Sequence, residues 1–173
     1  MKIYRDIISN DELFSDIFPM ELIADGTVYK VKGKMTSESF QLDEAAIGGN
    51  ASAEGVDEGE GCDAAVATGV NICLNHKLTE TQFPKKDFKV SIQDYMKRVK
   101  AHIAKTNPDE VDVFTKGVAK FIKSVLEEFK EYQFWFGEKA PERGFDCMPC
   151  LMRWDEETPY VYFFKHGLEE EKC

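Results

Sequence analysis

The sequence contains no apolar run approaching the roughly 18 residues that a membrane-spanning helix needs. Its first residues, Met1 to Asp6, alternate charge and bulk instead of placing a basic start before an apolar stretch, so the expected compartment is the cytosol. There is no Walker or dinucleotide-binding glycine pattern. Histidine is scarce, and His76, His102 and His166 have no serine or cysteine nucleophile motif beside them, which argues against a conventional hydrolase or transferase. The five cysteines, Cys62, Cys73, Cys147, Cys150 and Cys173, are odd in number and irregularly spaced, so they do not form a secreted disulfide framework and are expected mostly as reduced thiols. No internal repeat is present. A formal charge of -10 leaves no general cationic surface for nucleic acid or anionic membrane.

That charge is unevenly distributed. From Met35 to His76 there is no Lys or Arg, while Glu38, Asp43, Glu44, Glu54, Asp57, Glu58, Glu60 and Asp63 give a local charge of -8. From Pro84 to Lys105, Lys85, Lys86, Lys89, Lys97, Arg98, Lys100 and Lys105 against Asp87 and Asp94 give +5. One chain thus carries an anionic loop and a cationic helix. With 173 residues it is long enough, as one domain, to bury roughly two thirds of its unfolded surface.

Two strand-like runs, MELIA ending at Ala24 and TVYKVKGK starting at Thr27, flank Asp25 and Gly26, a pair suited to a type I′ turn. Alternation of Val70, Ile72, Leu74 and Leu78 predicts a half-buried strand from Val70 to Leu78. The period then changes. Phe88, Ile92, Tyr95, Met96, Val99 and Ile103 line one face of a helix. Asn107, Pro108 and Glu110 read as an N-cap, a first-turn proline and the closing acid of a capping box. The second helix then buries Val111, Phe114, Val118, Phe121, Ile122, Val125 and Phe129, making a helical hairpin. Strands return at YQFWF, CLMRW and YVYFF, with turns at Gly137, Gly144 and Thr158–Pro159. The fold class is α+β: a β core at 1–36, 67–83 and 131–173, an acidic loop at 37–66 and a helical hairpin at 84–130, in one domain.

The stretch IGGNASAEG, Ile47 to Gly55, has no apolar period and reads as a mobile surface loop; its candidate binding residues are Ile47, Gly48, Gly49, Asn50, Ser52, Glu54 and Gly55. These words, with FKEYQFWFGE at Phe129 to Glu138, resemble the translationally controlled tumour protein family, and the resemblance runs from MKIYRDIISNDELFSD through to FFKHGLEEEKC. It implies a coiled, mostly antiparallel β core like that of the Rab exchange and chaperone factors, a projecting helical hairpin and a non-catalytic role. It also implies weak calcium binding, association with tubulin and microtubules, contacts with a small GTPase, translation elongation factors and anti-apoptotic proteins, and secretion outside the classical pathway.

Placed on residues, the acidic loop offers Asp57, Glu58 and Glu60 as calcium ligands; lacking EF-hand order, they should bind only at about 0.1 to 1 mM. Lys85, Lys86, Lys89, Lys97, Arg98 and Lys100 are either a solvated face or a dock for strongly acidic proteins such as tubulin tails. Asp11 and Glu12 read as exposed turn acids, and by motif match the resemblance gives Glu12 the GTPase contact. Cys173 reads on its own as a harmless terminal thiol; the resemblance implies that it can form a disulfide-linked homodimer in a protein otherwise mostly monomeric. Cys147 and Cys150 form the one CxxC and leave three readings: reduced thiols in a turn, a redox-active dithiol serving an antioxidant role, or zinc with other ligands. Zinc normally needs a second such pair, so none is expected.

Overall fold

The computed structural model describes residues 1–39 and 66–172. The first strands are β1 (Lys2–Asp6), β2 (Glu12–Ser15), β3 (Met20–Ile23), β4 (Val28–Lys32) and β5 (Met35–Ser39). Next come β6 (Val66–Val70), helix α1 (Asn71–Asn75), β7 (Thr79–Thr81) and the helices α2 (Lys85–Thr106) and α3 (Val111–Glu127). The chain continues through β8 (Tyr132–Phe136), β9 (Cys150–Asp155), β10 (Thr158–Phe164) and β11 (Leu168–Lys172). All pairings are antiparallel: a three-stranded sheet β11-β1-β2, a six-stranded sheet β3-β4-β10-β9-β8-β7, and a ribbon β5-β6 that pairs from Met35 and Val70 out to Ser39 and Val66. This is the expected α+β class.

Consecutive residues of a strand face opposite ways, and Phe163 and Phe164 of β10 show what that does here. Phe163 stacks on Phe14 of β2, 4.2 Å between centroids. Phe164 meets Tyr95 of α2 and Phe121 of α3 at 5.8 and 5.9 Å. The six-stranded sheet therefore lies between the three-stranded sheet and the helices, which is why its central strands are apolar on both sides. Helix α2 buries Phe88, Ile92, Tyr95, Val99 and Ile103, and α3 buries Phe114, Val118, Phe121, Ile122 and Val125, each side chain contributing about 1.5–3 kcal/mol. Gly117 of α3 is where the β3–β4 turn docks: a Cβ there would lie 2.5 Å from the Ala24 carbonyl oxygen and 2.6 Å from Thr27.

Several expectations are corrected. Val70 to Leu78 is not a strand. Asn71 is the first residue of α1; its Oδ1 accepts from the Ile72 and Lys34 amides at 2.8 and 3.0 Å, and the adjacent Ile72 and Cys73 are both buried, an outcome that strand alternation forbids. The hairpin at Asp25–Gly26 forms, with φ of 60° and 82°, and Ala24 joins them at 51°. Asn107 makes no side-chain cap; Pro108–Glu110 is a 3-10 turn, and the Glu110 carboxylate instead faces His166. Helix α3 stops at Glu127, and Phe129 packs on Phe88 and Phe134 from a separate 3-10 turn. The β9–β10 turn falls at Glu156–Glu157, leaving Thr158 and Pro159 inside β10, where the Pro159 carbonyl accepts from Gly33 N at 2.9 Å.

Candidate functional site

The β1–β2 turn gathers three acids, which the fold uses differently. Asp6 is buried. Its Oδ1 accepts from Ile8 N at 2.9 Å, and its Oδ2 from Met148 N at 2.8 Å and Ser9 Oγ at 3.1 Å. Burial pushes its carboxyl above the usual range and outweighs those three donors. Asp11 is also buried rather than an exposed turn acid, because its Oδ2 accepts from Lys139 N at 2.9 Å. The chain can approach so closely only because residue 137 is glycine: a Cβ there would sit 2.6 Å from Asp11 Oδ2. Glu12 is the acid that reaches solvent, paired with Arg5 at 3.0 Å.

Glu12 borders a shallow polar depression of about 280 Å3 shared with Asn75, His76, Lys77 and Glu138. Lys77 and Glu138 are 3.8 Å apart across it. These neighbours come from α1 and the end of the FKEYQFWFGE block, so spacing alone did not join them to Glu12. His76, expected on a strand, closes the C-terminal end of α1 and packs edge-on against Phe18. Burial lowers its pKa from the usual 6.5, with Glu12 opposing.

On α2, Lys86, Lys89, Lys97 and Lys100 recur at spacings that place them within roughly 80° of one another around the axis, a stripe about 21 Å long. Lys85, Lys86, Lys89 and Lys97 are exposed, and Lys100 is half-buried. Among the described residues none of these five lysines is in an ion pair. Arg98 is turned inward at one nitrogen, donating to the Asp146 carbonyl at 3.1 Å. The structure thus brings four of the predicted lysines onto one face, while Lys85 and Arg98 lie off it.

Cys147 and Cys150 are both buried. Burial pushes the Cys147 thiol up to about 12 and Cys150 well above its usual value, with the Asp6 carboxylate adding to both. Thiols held protonated and away from water are poor nucleophiles and poor metal ligands. Among the described residues no group of three or more His, Cys, Asp or Glu is arranged to hold a metal, and no helix is long and apolar enough to cross a membrane. The signature stretch from Ile47 to Gly55, the calcium candidates Asp57, Glu58 and Glu60, and Cys173 lie outside the described residues.

The model of the family described as translationally controlled tumour protein matches residues 1–169. The translationally-controlled tumor protein homolog of Lumbricus rubellus is 51% identical over 172 residues, covering 99% of both chains. The translationally-controlled tumor protein of Homo sapiens is 49% identical over 176 residues, with all of each chain covered. Among solved structures, the translationally controlled tumor-associated protein p23fyp of Schizosaccharomyces pombe aligns over 100% of both chains with a TM-score of 0.78 at 37% identity. The translationally-controlled tumor protein of Caenorhabditis elegans aligns over 100% of this chain and 99% of its own, with a TM-score of 0.73 at 38% identity. A match over essentially the whole length, at the level of sequence and of fold, means that the chain belongs to the translationally controlled tumour protein family.

Proposed function

We propose that this protein is a non-catalytic, cytoplasmic interaction protein whose α2 lysine stripe docks acidic partners, tubulin and microtubules first among them. The observation that carries the reading is the row of Lys86, Lys89, Lys97 and Lys100, left without internal counter-ions among the described residues of a chain whose net charge is -10. An exposed cationic row speeds encounter with an acidic surface and gives up affinity as salt rises. Co-sedimentation with microtubules at low and high salt tests it. Binding should fall steeply with salt and vanish in Lys86→Glu/Lys89→Glu/Lys97→Glu; salt-independent binding, or an unaffected variant, overturns the electrostatic account.

Family membership supports the remaining contacts. Glu12, with the depression around His76 and Glu138, is the surface proposed for a small GTPase, Asp11 acting beneath it as its internal brace. Translation elongation factors and anti-apoptotic proteins are further proposed partners, with roles in growth and cell survival. Weak calcium binding is assigned to Asp57, Glu58 and Glu60, a covalent homodimer to Cys173, and non-classical secretion is part of the same reading. No observation favours the thiol antioxidant alternative, since Cys147 and Cys150 are buried with raised pKa values.

A further inference from the structure

A groove of about 510 Å3 opens where the β2–β3 and β4–β5 connections meet α1, and no residue of the helical hairpin contributes to it. Its apolar side is Ile17, Phe18 and Pro19. Phe18 is buried beneath, while Ile17 is 61% exposed, and Met35 beside the groove's Lys34 is 50% exposed. Its polar side is Lys32 and Lys34 with the amides of Asn71 and Asn75, and the lining includes no carboxylate.

The charges there are available. Lys30, two residues earlier on β4, is occupied, lying 4.0 Å from Glu21 and 4.4 Å over the Tyr160 ring. Lys32 and Lys34 are exposed and, among the described residues, in no ion pair. Asn71 Oδ1 already accepts two backbone amides, so what its side chain has left to offer is a donor. An apolar floor edged by donors and ammonium groups accepts a guest that is apolar at its centre and rich in acceptors at its flanks. The volume suits one or two side chains rather than a folded surface.

We propose that this groove docks an extended segment of a partner protein in which an apolar side chain is flanked by Asp or Glu. The apolar side chain covers Ile17 and Phe18, and the flanking carboxylates meet Lys32 and Lys34. The site differs from the α2 stripe in chemistry as well as place, because it requires the apolar residue and not charge alone.

The test uses the intact chain and fluorescent peptides of three kinds: acidic with a central Leu or Phe, the same with that residue changed to Ser, and the same with the acids changed to Lys. The first alone should bind, with amide resonance shifts centred on Gly33, Asn71 and Asn75. Lys32→Glu/Lys34→Glu should weaken binding at least about tenfold, while Lys86→Glu/Lys97→Glu leaves it unchanged. Both variants change exposed lysines, and their amide spectra report whether the fold persists. Equal binding of the Ser peptide, loss of binding in the α2 variant, or shifts elsewhere overturns the proposal. So do three other occupants: anionic vesicles competing better than the peptide would make the guest a lipid, and a concentration-dependent dimer lost in Ile17→Ser would make it a second copy. Tenfold tighter peptide binding after Glu54, Asp57, Glu58 and Glu60 are changed to their amides would make it the chain's own acidic segment.

Discussion

Helices α2 and α3 are partners in one hairpin and both bury an apolar face, yet they differ in what their remaining surface does. Helix α3 has 17 residues and turns a broad face inward, with Gly117 pressed against the β3–β4 turn. Helix α2 has 22 residues and keeps one buried apolar row, its other faces carrying lysines, Arg98, Asp87, Asp94 and the exposed Val90. Both helices anchor, each through five buried apolar side chains, and α2 in addition presents a lysine stripe. The division recurs at the N-terminal turn, where Asp6 and Asp11 are bonded inside and Glu12 faces out. Proximity in sequence therefore says little about which role a residue takes; internal partners decide it.

The hardest test of this division is Gly117→Val. The added side chain would collide with the backbone at Ala24 and with Thr27, and stability should fall by about 3 kcal/mol in chemical denaturation. Next, Asp6→Ala should cost about 2 kcal/mol, because the Ile8 and Met148 amides lose their acceptor inside the protein, and Asp6→Asn, which keeps one acceptor oxygen, should cost less. A loss no greater than that of Glu12→Ala would remove the distinction between bracing and presenting acids.

A smaller effect concerns pH. The unfolded chain takes up a proton on His76 near 6.5 that the folded chain resists, so the stability His76 contributes is present above that value and is lost as pH falls through the lower folded value. Denaturation midpoints should begin to drop as pH falls towards about 6.5 and below, and drop less in His76→Gln. Asp6 acts in the other sense, since its raised pKa means that acid relieves a buried charge. Smallest of all, Lys86→Glu/Lys97→Glu should change stability by no more than about 0.5 kcal/mol, the mark of side chains that hold nothing inside. A loss comparable to that of Gly117→Val would show that these lysines hold the fold as well.

Periodic segments were legible in the sequence. The apolar rows of α2 and α3 and the strands β8, β9 and β10 carry their period in side-chain size, and the structure buries the residues that pattern selects. Failures came where a single side chain decided local geometry. Asn71, at the first position of a helix, holds two amides, one of them 37 residues away in sequence, and alternation of Ile72 with Leu74 gives no hint of it. Glu110 looked like a cap because its spacing suits one, but His166, 56 residues later, is its partner. Of the interaction surfaces, the lysine stripe was visible because it is local. The depression around Glu12 was not, because α1 and Glu138 join it only through folding.

The pairing of β1 with β11, from Lys2 opposite Lys172 to Asp6 opposite Leu168, also sets a timetable for the ribosome. The strand made first keeps an open edge until a segment more than 160 residues later has left the exit tunnel, and contacts of such long range close slowly. During that interval Tyr4 and Phe14, which end up stacked 4.5 Å apart, belong to an unfinished sheet. A chain truncated before residue 168 should therefore be a far better chaperone client and protease substrate than the 173-residue chain that carries β11.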